Sequence, residues 1–254
     1  MSHRFEDLVA EADAAPIDGW DFSWLDGRAT EERPPWGYAR LLARRAARAT
    51  RMVDLQSGGG ELLAELGDRP PLLVATEGWL PNVDVAARRL RPLGAQVVAA
   101  TGDEPGVPLR SGTFDLVSSR HPIEAHWGEI ARLLAPGGTY LSQQVGLASM
   151  HAVSEAFRGP FEPSTARDPE RARAAATDAG LDVVDVRTAT LRTEFFDVGA
   201  LVYYLRLVVW IVPDFSVDRY RDRLRRLHEQ IERDGPLVAH ATRFLIEARK
   251  PERS

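Results

Sequence analysis

The stretch Val53-Asp54-Leu55-Gln56-Ser57-Gly58-Gly59-Gly60-Glu61 runs from an apolar segment through one acidic residue into three consecutive glycines. That order suits a buried strand, a glycine turn at its end and the opening of a helix. Glycines at such a turn let backbone N–H groups approach a ligand closely, and the helix N-terminus behind them favours an anionic group. Turns of this kind also serve NAD, FAD and plain chain reversal. On this segment alone, a nucleotide-type ligand and a structural loop remain alternatives.

Outward from the turn the pattern repeats. Tyr38 to Thr50 reads as a helix, Arg51 to Leu55 as the strand, and Glu61 to Leu66 as the helix that follows. Downstream come a strand at Leu72–Thr76, a helix at Asn82–Leu93, strands at Gln96–Ala99 and Phe114–Ser118, a helix at Trp127–Leu134 and a strand at Thr139–Val145. Strands alternating with helices imply βαβ units and a mostly parallel sheet. Beyond Val145 the reading gives helices at Ser149–Phe157 and Pro169–Ala179, a strand at Leu181–Val186, helices at Asp197–Val212 and Val217–Arg233, and a last strand at Leu237–Ala248.

At 254 residues, 44% hydrophobic and 27% charged, the chain has the balance of an ordinary globular α/β protein. The absence of cysteine excludes disulfides, thiolate nucleophiles and Cys-ligated metals. A net charge of −5 supplies no general attraction to phosphate backbones. The runs Arg40–Arg51 and Arg219–Arg226 are arginine-dense, yet such runs on helices are mostly solvated faces, so nucleic acid is not favoured. Met1 to Ala15 lacks the apolar run of a secretory signal, and Ala200–Val212 is too short to span a bilayer; the chain reads as cytoplasmic, without a membrane segment. A single lysine beside abundant arginine and alanine matches the codon usage of a GC-rich bacterial genome.

Glu77 stands at the end of the second strand, about 20 residues past the glycine turn, where a carboxylate commonly binds ribose hydroxyls. Trp79 follows it; its indole suits stacking on a nucleoside base or packing of a helix. These residues join a longer succession: Asp54-x-Gln56-x-Gly58-x-Gly60, Glu77, Gly102-Asp103-Glu104 ahead of Val107-Pro108-Leu109, Phe114-Asp115-Leu116-Val117, and Leu133-Leu134-x-Pro136-Gly137-Gly138. The succession, over residues 50 to 146, resembles the class I S-adenosylmethionine-dependent methyltransferases.

The resemblance implies a Rossmann-like, doubly wound, mostly parallel sheet with a final antiparallel strand, and S-adenosyl-L-methionine as cofactor. By it, Asp54, Gln56, Ser57, Gly58 and Gly60 would bind the methionine part, Glu77 the ribose, Asp103 and Glu104 the adenine, with Trp79 beside the base and Tyr38 at the cofactor carboxylate. Asp115 and Pro136–Gly138 would be structural. Gln56 departs from the family, which places glycine there, so the backbone would stand farther from the cofactor or the amide would take part.

Methyl transfer from a sulfonium is an in-line displacement that needs alignment and exclusion of water. A hydroxyl or protonated nitrogen acceptor would use a general base, and His121, directly after the fourth strand, is the leading candidate. Arg120 beside it could orient an anionic acceptor, and His126 and His151 are alternatives. His121, Glu124 and His126 lack the spacing of helical metal ligands, and no metal site is expected. Phe195, Phe196, Tyr203 and Tyr204 are candidate walls of an acceptor pocket, with core packing as the alternative.

The domain expectation is an N-terminal cap over 1–38 and a methyltransferase domain over 39–254 with a helical insertion at 195–235. The expected activity is methylation of a small molecule. An RNA methyltransferase, a non-catalytic S-adenosylmethionine-binding regulator and a nicotinamide-dependent oxidoreductase are the rivals. Sequence leaves the oligomeric state open.

Overall fold

The computed structural model describes residues 2–17, 21–100 and 106–252, apart from the side chains of 2–4. The strands are β1 (Ala29–Glu31), β2 (Arg51–Asp54), β3 (Leu72–Glu77), β4 (Gln96–Ala99), β5 (Phe114–Arg120), β6 (Leu134–Val145), β7 (Asp182–Phe195) and β8 (Leu237–Arg249). The helices are α1 (Ser2–Ala14), α2 (Tyr38–Ala46), α3 (Glu61–Ala64), α4 (Leu80–Leu90), α5 (Trp127–Leu133), α6 (His151–Arg158), α7 (Pro169–Asp178), α8 (Val198–Leu207) and α9 (Val217–Asp234). The eight strands hydrogen-bond in the order β1-β7-β8-β6-β5-β2-β3-β4. The pairs from β4 to β6 are parallel and β8 runs antiparallel to β6, which makes the sheet mostly parallel as the resemblance implies.

The chain packs as two compact units: Met1–Arg33 with Leu147–Thr165 and Thr190–Thr242, and Pro34–Gly146 with Ala166–Ala189 and Arg243–Ser254. The second unit holds the parallel strands and buries both of their faces. On one face Leu42 of α2, Leu63 of α3 and Leu90 of α4 pack with Met52, Leu116 and Leu141. On the other, Ile130 and Leu133 of α5 pack with Val53, Val74, Val117 and Tyr140. Burial on two faces is why these strands read as unbroken apolar runs.

Local residues fix the joints. Asp115 accepts hydrogen bonds from the N–H groups of Thr50 (2.8 Å) and Arg51 (2.9 Å), pinning the start of β2. Lys250, the lone lysine, donates from Nζ to the carbonyls of Ala131 (2.6 Å) and Leu134 (2.8 Å), where α5 ends and a cation is favoured. Asp168 caps α7 by accepting from the Glu170 N–H at 2.9 Å, with Pro169 in the first turn.

In the other unit, α1 packs on α8, which is buried along most of its length. Gly199 permits the approach: a Cβ there would stand 2.8 Å from the Leu8 carbonyl oxygen. Arg206 donates to the Ala15 carbonyl at 3.0 Å and to that of Ala12, closing the end of α1. Several elements differ from the sequence reading. The N-terminal leader contains α1 and β1, β7 continues nine residues past Val186 to Phe195, and the last strand-to-helix segment forms α8 only to Leu207.

β6 begins at Leu134 rather than Thr139, with an irregularity between Phe114 and Leu116 that accommodates Pro136-Gly137-Gly138. Gly138 sits where a Cβ would meet the Ala135 and Phe114 carbonyl oxygens at 2.9 Å, and backbone cannot yield as a side chain can. Gly138→Ala is therefore expected to lower unfolding stability by about 1–3 kcal/mol. Gly67→Ala, with nothing within 4 Å of its Cβ, is expected to change it by no more than about 1 kcal/mol. Urea denaturation of the two variants checks the contrast.

Candidate functional site

Asp54, Glu77 and Arg120 end three of the parallel strands on the same side of the sheet, the side where ligands bind in open α/β folds. Asp54 is buried and its carboxylate takes a short hydrogen bond from the Ser118 hydroxyl on the adjacent β5. Burial pushes its pKa up to about 6, against the opposing effect of Ser118, Ser57 and Arg120. The Ser57 hydroxyl donates to the Asp54 carbonyl at 3.0 Å, and the Ser57 N–H to the Thr76 carbonyl at 2.9 Å. The turn is thereby held against β3.

Gly58 and Gly60 adopt left-handed φ angles of +60° and +77°. A Cβ on Gly60 would lie 2.9 Å from Leu90, so glycine is required there both by conformation and by space. The Gly58 N–H donates to Glu77 at 2.8 Å, and the Trp79 N–H donates to the other oxygen of the same carboxylate at 2.8 Å. Each oxygen retains a second acceptor site, so Glu77 can still receive hydroxyl groups while it braces the turn. Trp79, 55% exposed, does not pack as a core residue.

Gln56 and His121 are the two non-glycine residues of this unit with left-handed backbone, φ +56° and +54°, among the described residues. Both follow central strands, where such strain tends to gather at functional sites. The Gln56 side chain spans to the loop after β5: its Nε2 donates to the Glu124 carbonyl at 2.7 Å, and its Oε1 accepts the Ile123 N–H at 2.7 Å. The amide that the sequence offers to a cofactor is thus committed to a latch between two loops. Beside it lies a pocket whose apolar wall includes Leu55, Val107, Ala125, Ile130 and Tyr140, with Thr76, Ser119 and Glu129 as polar members.

Glu129 and Arg132 of α5, which the sequence reading did not single out, organise the Val107–Ser111 side of this pocket. Glu129 accepts the Val107 N–H at 2.8 Å, and Arg132 donates to the Leu109 carbonyl at 2.8 Å. Their Glu-x-x-Arg spacing on one helix was the available signal. Asp103 and Glu104 lie outside the described residues.

Tyr38 is buried, and its hydroxyl faces the carbonyls of Ser119 (2.9 Å) and Leu141 (3.2 Å). Burial, with the Asp54 charge nearby, holds that hydroxyl well above its usual pKa. Both bonds compete with the expected contact to a cofactor carboxylate.

His121 is linked through Gln143 to Trp36. The Trp36 indole N–H donates to Gln143 Oε1 at 2.8 Å, and Gln143 Nε2 lies 3.0 Å from His121 Nε2. The residue keeps exposed surface, yet desolvation of its ring and the charges of Arg243, Arg120 and Arg167 hold the imidazole well below its usual pKa. His121 is neutral at pH 7, with its Nε2 lone pair facing the Gln143 NH2 group. Among the described residues no three His, Asp or Glu side chains come together as metal ligands, and no helix is long and apolar enough to cross a membrane.

Residues 53–142 match the model of a methyltransferase domain. The chain thus contains a segment similar to methyltransferase domains. Its fold is the Rossmann-like fold of the class I S-adenosylmethionine-dependent methyltransferases. No curated protein matches the chain. Among solved structures, a candidate methyltransferase of Bacillus halodurans is 16% identical over 85% of this chain and 99% of its own, with a TM-score of 0.60. The [4+2]-cyclase SpnF is 17% identical over 99% and 93%, TM-score 0.53. The phosphoethanolamine N-methyltransferase 2 of Haemonchus contortus, solved with phosphomonomethylethanolamine and S-adenosylhomocysteine, is 17% identical over 85% and 53%, TM-score 0.50. These likenesses are of fold.

Replacing Gln56 by glycine removes the latch while supplying the residue best suited to a left-handed backbone. Lost hydrogen bonds and relieved strain, each about 1 kcal/mol, should nearly cancel in global stability. The Ile123 amide should nevertheless exchange with deuterium about 10-fold faster or more, as measured by hydrogen-exchange NMR. Unchanged protection would mean that Gln56 does not hold this loop.

Proposed function

We propose that the protein is an S-adenosyl-L-methionine-dependent methyltransferase acting on a small molecule. The carrying observation is the pair of carboxylates, Asp54 and Glu77, that end adjacent strands around a glycine turn inside the matched methyltransferase domain. The residues suit that cofactor. Asp54 offers a negative charge to an ammonium group, Glu77 keeps free acceptor capacity for ribose hydroxyls, and Trp79 with the apolar wall of Leu55, Val107 and Ile130 offers surface to a base. When bound, the cofactor supplies the methyl group on a sulfonium, which passes to an acceptor nucleophile and leaves S-adenosylhomocysteine. This chain's own contribution is then orientation: Asp54 and the turn hold one end, and the latch between Gln56 and the Ile123–Glu124 loop limits water at the other.

A second reading is favoured by one specific observation: the same fold carries a [4+2]-cyclase, so the cofactor domain need not imply methyl turnover. Calorimetric titration with S-adenosylhomocysteine tests binding, and methyl transfer to a panel of small acceptors separates the two readings. Saturable binding that weakens at least about 10-fold in both Asp54→Asn and Glu77→Gln is expected, since each removes a charge-assisted contact. No binding by the wild type would sink the proposal.

The elevated Asp54 pKa adds a pH signature. Below about 6 the carboxyl is protonated and loses its attraction for the cofactor's ammonium group, so affinity should rise with pH and level off above 7. At pH 5 the competent fraction falls to about a tenth, and affinity should be about 10-fold below its plateau. Asp54→Asn should abolish that slope in the same titration.

A further inference from the structure

The polarity of the Trp36–Gln143–His121 chain determines what His121 can do. An indole N–H only donates, so Gln143 must turn its oxygen toward Trp36 and its NH2 toward His121. The NH2 only donates as well, so His121 Nε2 must be the acceptor and the imidazole proton resides on Nδ1. Protonating Nε2 would set two donors against each other. His121 therefore presents an N–H, not a lone pair, at its remaining ring nitrogen.

Sheet register gathers positive charge around that group. Arg120 of β5 pairs with Gln143 of β6, and Val145, two residues on, pairs with Arg243 of β8. Paired residues share a face and residues two apart return to it, so Arg120, Gln143 and Arg243 occupy one face at one end of the sheet. Among the described residues, neither the Arg120 guanidinium nor His121 Nδ1 has a hydrogen bond or ion pair. Arg120 acts electrostatically on Asp54 on one side and on His121 on the other. Arg243 and Arg167 strengthen the positive field at His121, although each is also engaged elsewhere. A neutral N–H donor beside an unpaired guanidinium, next to the strand end where the methyl donor would lie, suits a ligand with paired anionic oxygens.

We infer that Arg120 and the Nδ1–H of His121 form the receptor for a carboxylate or phosphate group on the methyl acceptor. The inference rests on the methyltransferase reading and narrows its substrate class to anionic small molecules. Gln143 and Trp36 are positioning residues: they fix the tautomer and the ring without touching the ligand. The cofactor's own carboxylate is the competing occupant, and it predicts displacement rather than coexistence.

Long-range ¹H–¹⁵N correlation NMR reads the tautomer directly. Wild-type His121 should show Nδ1–H, and Gln143→Glu, which turns a carboxylate toward Nε2, should move the proton there. Wild type with the proton on Nε2 would overturn the inference. Acetate and inorganic phosphate, titrated at constant ionic strength into protein saturated with S-adenosylhomocysteine, should each give a saturable shift of the His121 Nδ1 resonance if the receptor accepts both sources. A response to one alone identifies which anion it takes. Arg120→Met should weaken that response at least about 10-fold, and Arg88→Ala, at an exposed arginine of α4, should leave it unchanged. Absence of a saturable shift with either anion, equal response in Arg120→Met, or release of S-adenosylhomocysteine by the anion would overturn it. If S-adenosylhomocysteine does not bind at all, the cofactor reading fails on its own, and the same anion titration on the free protein still decides whether the receptor exists.

Discussion

Parallel strands can be joined only by crossovers, and the rest of this structure follows from where those crossovers change direction. The chain leaves β2 toward β3 and β4, then returns to place β5 on the other flank of β2. Helices α3 and α4 consequently cover one face and α5 the other. Between β2 and β5 the connections diverge, so the ends of these two strands meet loops rather than helices, and the Gln56 side chain links those loops. Asp54 and Arg120 occupy those ends because they are the last residues the sheet can hold before the chain must turn away.

A buried acid at such a point is costly unless something answers it. Ser118 supplies a hydrogen bond across the strand pair, Arg120 supplies charge at longer range, and the remainder of the penalty appears as the elevated pKa. Glu77 solves the same problem differently, by receiving two backbone N–H groups. Two carboxylates one strand apart thus have unlike character: one is tuned near neutrality, the other is tied into the turn. The left-handed backbones of Gln56 and His121 flank this pair, concentrating strain at the loops that a ligand would meet.

The central strands were legible because burial on both faces leaves an apolar run punctuated by glycine and proline. The second half of β7 was not: Arg187-Thr188-Ala189-Thr190 and Arg192-Thr193-Glu194 mix polar residues on both faces, so no alternation marks the strand. β1 has three residues and exists through its pairing with the end of β7. In the site, Asp54 and Glu77 could be read because strand ends are local features. The partners of Gln56 lie 67 and 68 residues away and Trp36 is 107 residues from Gln143, contacts that only tertiary structure creates. A histidine after a strand suggests a base, whereas its tautomer is decided by an indole far upstream.

The single lysine has a practical corollary. Lys250 spends its ammonium group on the carbonyls at the end of α5, and the chain contains no other ε-amine. A reagent selective for primary amines therefore meets one side chain and the N-terminus, so attachment of a dye or a surface can be confined to a known place. Because that place is also a helix cap, the rate of its acylation would report how often the end of α5 opens.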